Sequence, residues 1–203
     1  CGSAAVFFRK WPSEIEVLND RSGDLVNFFA VLRERPDELI AAIELTPYAR
    51  DEYALSYEPS SDPLERARRF YVQTRQAFGG FDGRKTGWRT QRNRHRGTSI
   101  TQEWRRLDGL WMAVERLKDA QIENDDALAV IERYDNQRAV FYVDPPYVLS
   151  SRSQGKKRKR YEHEMSDDDH RALADCLHQV KGAVLLSGYP SPLYDELYPD
   201  WQQ

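Results

Sequence analysis

Asp144, Pro145, Pro146 and Tyr147 stand directly after an apolar run, Val140-Phe141-Tyr142-Val143, that reads as a buried strand. Two adjacent prolines fix φ and remove two amide donors, leaving a stiff turn that presents carbonyl oxygens. With a carboxylate before it and an aromatic ring after it, the turn offers hydrogen-bond acceptors on one wall and a π-face on another. Such a pocket suits a planar ring bearing an exocyclic amine. An amine conjugated to a ring is a poor nucleophile because its lone pair is delocalised. Two acceptors holding its hydrogens help localise that pair toward an electrophilic methyl group, a form of electrostatic preorganisation. The plain alternative is a Pro-rich turn with a surface tyrosine.

A second set of residues suits a nucleotide-like cofactor. Gly2, opening Gly2-Ser3-Ala4, permits a tight turn and close approach of backbone to a ligand. Asp20 ends the next predicted strand, about the interval at which nucleotide-binding α/β folds place an acid on ribose hydroxyls. Asp126, beyond the strand near Ile122, is placed to accept from an adenine amino group. Each has a structural alternative: a simple turn at Gly2, a cap at Asp20, and the N-cap of the helix from Ala127 at Asp126. His163, His170 and His178 with Cys176 do not make a metal site. Cys176 and His178 are two apart and cannot share a helix face, and no Cys-x-x-Cys pair occurs, so no metal is expected.

The elements that must position these residues alternate in type. Helical spacing is expected over 5–10, over 24–35 up to Pro36, over 63–78 with Asp62 as N-cap and Gly79-Gly80 as the stop, and over 101–118. The last of these carries Trp104, Leu107, Trp111, Val114 and Leu117 on one stripe. Strands are expected near 15–18, 120–123, 139–143 and 183–186. A helix should span 126–134, and another should be opened by Ser166 with Asp169 in the capping-box position. Strand and helix in alternation specify a parallel α/β sheet. The helical and basic stretch over 37–106 interrupts that order as an inserted lobe would.

At 203 residues, 40% apolar, the chain can bury one sizeable core and a smaller lobe. The net charge of −3 does not mark the chain as a bulk nucleic-acid binder, although the basic residues are clustered. Two cysteines cannot make a disulfide framework, which points to a reducing cytosolic setting. No apolar run is long enough to span a membrane.

The Asp-Pro-Pro-Tyr run resembles the catalytic motif of the amino-group DNA methyltransferases, in the aspartate form of the adenine-N6, Dam-like phage and bacterial branch. Gly2-Ser3-Ala4 before Val6-Phe7-Phe8 resembles the tail of that family's Phe-x-Gly-x-Gly cofactor loop, with Ala4 where a second glycine is usual. Glu16 to Asp20 resembles its second cofactor segment. Tyr161 to Met165 and Ser187-Gly188-Tyr189 resemble segments that follow the catalytic motif. The resemblance implies a Rossmann-like methyltransferase sheet at 1–36 and 107–203, with an inserted, mainly helical target-recognition lobe at 37–106. It implies S-adenosylmethionine as methyl donor on Gly2, Ser3, Ala4, Asp20 and Asp126, and catalysis at Asp144, Pro145, Pro146 and Tyr147.

The expected partner is double-stranded DNA, met by a monomer in the cytoplasm of a bacterial or phage-infected cell. Between Arg84 and Arg106, Lys85, Trp88, Arg89, Arg92 and Arg94 are assigned to base reading, with Glu103 the only acid in the stretch. Lys156, Lys157, Arg158, Lys159 and Arg160 are assigned to gripping phosphates beside an extruded base. A solvated charged face is the alternative for both. The same chemistry on cytosine N4, RNA or a protein amide, or an inactive DNA-binding remnant, would leave a similar sequence. The family's strand ending in Glu-Pro-Phe and its Gly-Gly-Lys segment are not in this chain. The expectation is therefore a piece whose sheet carries a gap, and which alone folds marginally and binds the donor weakly.

Overall fold

The structure, a computed structural model, describes residues 2–79, 85–91, 99–151 and 163–202. Two compact units divide it, Gly2–Asn124 and Asp125–Gln203.

In the first unit, helix α1 (Ala5–Arg9) leads to strand β1 (Glu16–Asn19) and helix α2 (Gly23–Glu34). Pro36 ends α2, as the sequence requires, and also opens α3 (Pro36–Glu44), where its missing amide is no loss at a first helical position. Helix α4 (Arg50–Leu55) follows, then α5 (Pro63–Gln76). The Asp62 side chain caps α5 by accepting from the Leu64 and Glu65 amides, as its sequence predicts. Gly79, at φ 80, supplies the left-handed residue beyond its end.

The single helix expected over 101–118 is two: α6 (Ile100–Trp104) and α7 (Asp108–Leu117). Trp104 is buried and donates its indole N–H to the Thr46 carbonyl at 2.9 Å, which fixes α6 against the end of α3. Asp108-Gly109, poor helix formers, then restart the helix. The expected stripe survives at Val114 and Leu117, both buried, whereas Trp111 is exposed. Strand β2 (Ala120–Glu123) pairs parallel with β1, Leu18 opposite Ile122. The core of this unit is built on Leu32, Leu39, Ile43, Val72, Val114 and Leu117.

One buried carboxylate ties the unit's elements together. Glu16 on β1 accepts from both terminal nitrogens of Arg116 at 2.8 and 3.1 Å, and from Lys10. Arg116 also donates to the Phe7 carbonyl at 3.0 Å and lies 4.4 Å over the Phe7 ring, so α1, β1 and α7 meet there. The Arg116 hydrogen bonds, against the cost of burial and helped by Lys10, hold the Glu16 carboxyl at about 2 instead of 4.5. A depressed folded-state pKa stabilises the fold above the unfolded value and loses that contribution as pH falls. Native stability should therefore drop between about pH 4.5 and 2, this group contributing about 3 kcal/mol of the change. Acid titration of denaturant midpoints checks it: Glu16→Gln should lower stability at neutral pH and reduce that slope by this group's share, the rest coming from other depressed carboxyls such as Glu65. An unchanged slope would show that Glu16 does not govern acid stability.

In the second unit, α8 (Ala127–Tyr134) precedes strand β3 (Val140–Val143). Helix α9 (Asp167–Gln179) opens with the Ser166–Asp169 capping box read from sequence. Strand β4 (Ala183–Leu186) and helix α10 (Pro192–Leu197) follow. Strands β3 and β4 are parallel, with Val143 opposite Leu186. Phe141, Val143, Val184 and Leu186 pack on one face against Ile131, Leu173 and Leu177. Val140, Tyr142 and Leu185 on the other face are exposed. The Asp135 carboxylate accepts from the Lys181 and Gly182 amides and pins the start of β4 to the end of α8. Gly182 is obligatory there, since a Cβ would lie 2.6 Å from the Ala139 carbonyl oxygen. Among the described residues the strands form two separate two-stranded parallel sheets, and no helix is long and apolar enough to cross a membrane.

Candidate active site

Parallel pairing sets the geometry of the Asp-Pro-Pro-Tyr run. Because Val143 lies opposite Leu186, Asp144 and Ser187 leave neighbouring strands at the same level. The Ser187 amide continues the ladder, donating to the Val143 carbonyl at 2.9 Å, and its hydroxyl donates to Asp144 Oδ1. Asp144 is exposed, Pro145 is buried, and Pro146 and Tyr147 are half-buried. Val148, 2% exposed, anchors the exit of the turn, and its carbonyl accepts from the Ser151 amide at 3.1 Å. Among the described residues nothing donates to Asp144 Oδ2 or to the Pro145 carbonyl. Two acceptors on one short turn are thus available to the hydrogens of an amine.

The aromatic wall has more members than the sequence reading assigned. Tyr147 meets Tyr189 edge to face, with centroids 4.9 Å apart and planes at 72°. Tyr194 approaches from α10 and meets His170 at 3.4 Å through its hydroxyl. Burial, with Tyr147 adding to it, pushes the Tyr194 hydroxyl up to about 12. His170 is buried against this ring, and a His178 ring nitrogen lies 2.8 Å from the Leu197 carbonyl, so both histidines serve packing. No group of three or more His, Cys, Asp or Glu side chains suited to a metal occurs among the described residues.

The residues singled out for a cofactor fall in two places. In the first unit, Gly2 (φ 50) and Ala4 (φ 50) both adopt left-handed backbone, and a Cβ at Gly2 would meet nothing within 4 Å. Ser3 is exposed and Ala4 is buried as the cap of α1. The structure brings Gly2 and Asp20 together. Asp20 Oδ2 accepts from the Gly2 amide at 3.0 Å and Oδ1 from the Ser22 amide at 2.9 Å. Ala4, where the family motif has glycine, keeps a backbone that glycine would adopt without strain; the alanine costs about 1 kcal/mol. In the second unit, Asp126 caps α8 through the Leu128 amide at 3.0 Å, the structural alternative for that residue.

Of the residues assigned to DNA, Lys85, Trp88 and Arg89 lie beside α4 and α5. Lys85 sits 5.2 Å over the Tyr57 ring. Trp88 bridges to Ala77, donates to Gln76 Oε1 at 2.9 Å and packs on Tyr48. Arg89 pairs with Glu103 at 2.9 Å. The indole N–H is thus engaged within the first unit. Arg50, which the sequence reading passed over, lies 4.9 Å over the Trp88 ring with no carboxylate partner among the described residues. Arg92, Arg94, Lys156, Lys157, Arg158, Lys159 and Arg160 lie outside the described residues.

Parallel strand β3 thus leads into Asp-Pro-Pro-Tyr, the run whose likeness to the amino-group methyltransferase motif the sequence shows. Residues 1–202 match the D12 class N6 adenine-specific DNA methyltransferases, and the chain belongs to this family. It is also similar to the Type II methyltransferase M1.LlaDCHI of Lactococcus lactis subsp. cremoris, 29% identical over 98% of this chain and 74% of that relative. The protein is a DNA adenine-N6 methyltransferase, and its reaction consumes a methyl donor.

Proposed function

We propose that the donor is S-adenosylmethionine and that Asp144, Pro145, Pro146 and Tyr147 are the catalytic residues. The observation that carries this reading is the strand-end turn on which Asp144 Oδ2 and the Pro145 carbonyl are both unengaged among the described residues. The target adenine lies on Tyr147 after leaving the duplex. Asp144 and the Pro145 carbonyl accept its two amino hydrogens, so the N6 lone pair is directed out of the ring's conjugation. N6 would form its bond to the methyl carbon as the donor's S–CH3 bond breaks and a neutral thioether leaves, and N6 would then lose one proton to solvent.

The donor-binding residues in this reading are Gly2, Ser3, Ala4, Asp20 and Asp126. Open space at Gly2 and an acid bonded to the same turn fit a ligand carrying ribose hydroxyls and polar groups. S-adenosylmethionine supplies an activated sulfonium methyl group when bound.

In the finer fold reading, 1–36 and 107–203 belong to a Rossmann-like catalytic domain and 37–106 to an inserted target-recognition lobe. Double-stranded DNA is the substrate. Lys85, Trp88, Arg89, Arg92 and Arg94 read its bases, and Lys156 to Arg160 grip its backbone. The protein acts as a monomer in the cytoplasm, and the likeness to a Type II methyltransferase supports a restriction–modification setting.

Digesting DNA after incubation with methyl-labelled S-adenosylmethionine and resolving the nucleosides by mass spectrometry tests the reading. Label in N6-methyladenine is expected; label in N4-methylcytosine, in RNA or in protein would overturn it.

A further inference from the structure

We propose that the turn after β4, Ser187-Gly188-Tyr189, is the positioning element of the catalytic motif: Ser187 sets the Asp144 carboxylate and Tyr189 sets the Tyr147 ring. This rests on the assignment of Asp144 and Tyr147 above.

Asp144 is exposed and follows the last residue of β3, so its own backbone does not choose among its rotamers. The hydroxyl of Ser187 makes that choice by donating to Oδ1. One oxygen is then held and the other, Oδ2, is left to accept from the substrate amine. Oδ1, already accepting from Ser187, is the weaker competitor for that amine. The donor is itself fixed, because the Ser187 amide is bonded to the Val143 carbonyl at 2.9 Å on the adjacent strand. Both partners therefore hang from one ladder, and their spacing is set by strand pairing.

The next two residues complete the element. A Cβ at Gly188 would lie 2.5 Å from Cε2 of Tyr194, so the chain passes that ring at a distance open only to glycine. This close passage carries Tyr189 to Tyr147, where the edge-to-face contact at 4.9 Å fixes the plane on which a base must stack. Tyr189 is 56% exposed, which is more than packing alone requires of a large ring.

The test uses steady-state kinetics on cognate DNA with purified variants whose melting temperatures match the parent. Ser187→Ala should lower kcat about tenfold, the scale of losing a hydrogen bond to a charged group, with KM for DNA and donor within about twofold. Ser187→Thr, which keeps the hydroxyl, should restore kcat. In an Asp144→Ala background, Ser187→Ala should cause no further loss, since the group it positions is gone. Tyr189→Leu should lower kcat several-fold and Tyr189→Phe should not. Unchanged kcat in Ser187→Ala, or a loss that adds in full to that of Asp144→Ala, would overturn the proposal. If Asp144→Ala itself keeps full turnover, the active-site assignment falls instead, so the two failures are distinct.

Discussion

Replacing Asp144 with alanine is expected to lower methyl transfer by on the order of a thousandfold while affinity for DNA stays within a few-fold. The carboxylate lies at the end of β3, exposed, and only one of its oxygens is engaged by the described residues. Removing it therefore breaks no buried network, and stability should change little. In the proposed mechanism what is lost is an acceptor that acts when N6 takes on positive character, an interaction stronger in the transition state than in the bound ground state. Such a loss appears in kcat rather than KM. Asp144→Asn is the sharper variant, since its amide oxygen can still accept and keeps the shape without the charge. It should retain more activity than alanine and less than the parent. Single-turnover methylation with labelled donor, alongside filter binding of the same DNA, separates chemistry from binding. Normal turnover in Asp144→Ala would place the chemistry elsewhere.

The parts of this molecule legible in the sequence are those set by local chemistry. Asp62 before Pro63 and the Ser166–Asp169 pair mark helix starts by side-chain hydrogen bonds to nearby amides, and both form as read. Strands β3 and β4 are short apolar runs, β1 and β2 mix apolar with polar residues, and all four lie within a residue or so of their expected positions. The motif after β3 was visible because two prolines between an acid and an aromatic make an unusual local string. Long-range choices were not legible. The break between α6 and α7 follows from the hydrogen bond of Trp104 to Thr46, 58 residues away. Helices α3 and α4 were covered only as part of a helical stretch, since Pro36 can end one helix and begin the next.

The candidate site shows the same division. Ser187 and Asp144 are 43 residues apart, and only the parallel register of β3 and β4 makes them neighbours. A signal existed: two apolar runs of equal length, 140–143 and 183–186, put their following residues at one level if paired in register. Trp88 reads equally as a base-stacking ring or as a packing ring, and the hydrogen bond of its indole N–H to Gln76 fixes the ring without deciding between them. Asp126 is ambiguous for a related reason. A carboxylate before a helix caps it whatever else it binds, and that cap is present.

Neutralising Lys156, Lys157, Arg158, Lys159 and Arg160 together, as glutamines, should weaken binding by a similar factor for every DNA sequence. Five consecutive cations in a chain of net charge −3 cannot reflect bulk composition. In this reading they answer phosphates, whose neutralisation releases condensed counterions. Each phosphate contact contributes about 0.9 to the slope of log affinity against log salt. Loss of all five should flatten that slope by up to about 4.5 and cost on the order of a thousandfold in affinity at low salt, less as salt rises. Arg89, Arg92 and Arg94 provide the contrast. Reading base edges carries sequence information that phosphate contacts lack, so their substitution should change the ranking among sites by about 1–3 kcal/mol per lost contact. Salt titrations of cognate and unrelated duplexes by fluorescence anisotropy report both quantities at once. A salt slope that survives loss of the five charges would reduce that run to solvated surface. A uniform loss from the Arg89, Arg92 and Arg94 variants would move those arginines from reading bases to holding the backbone.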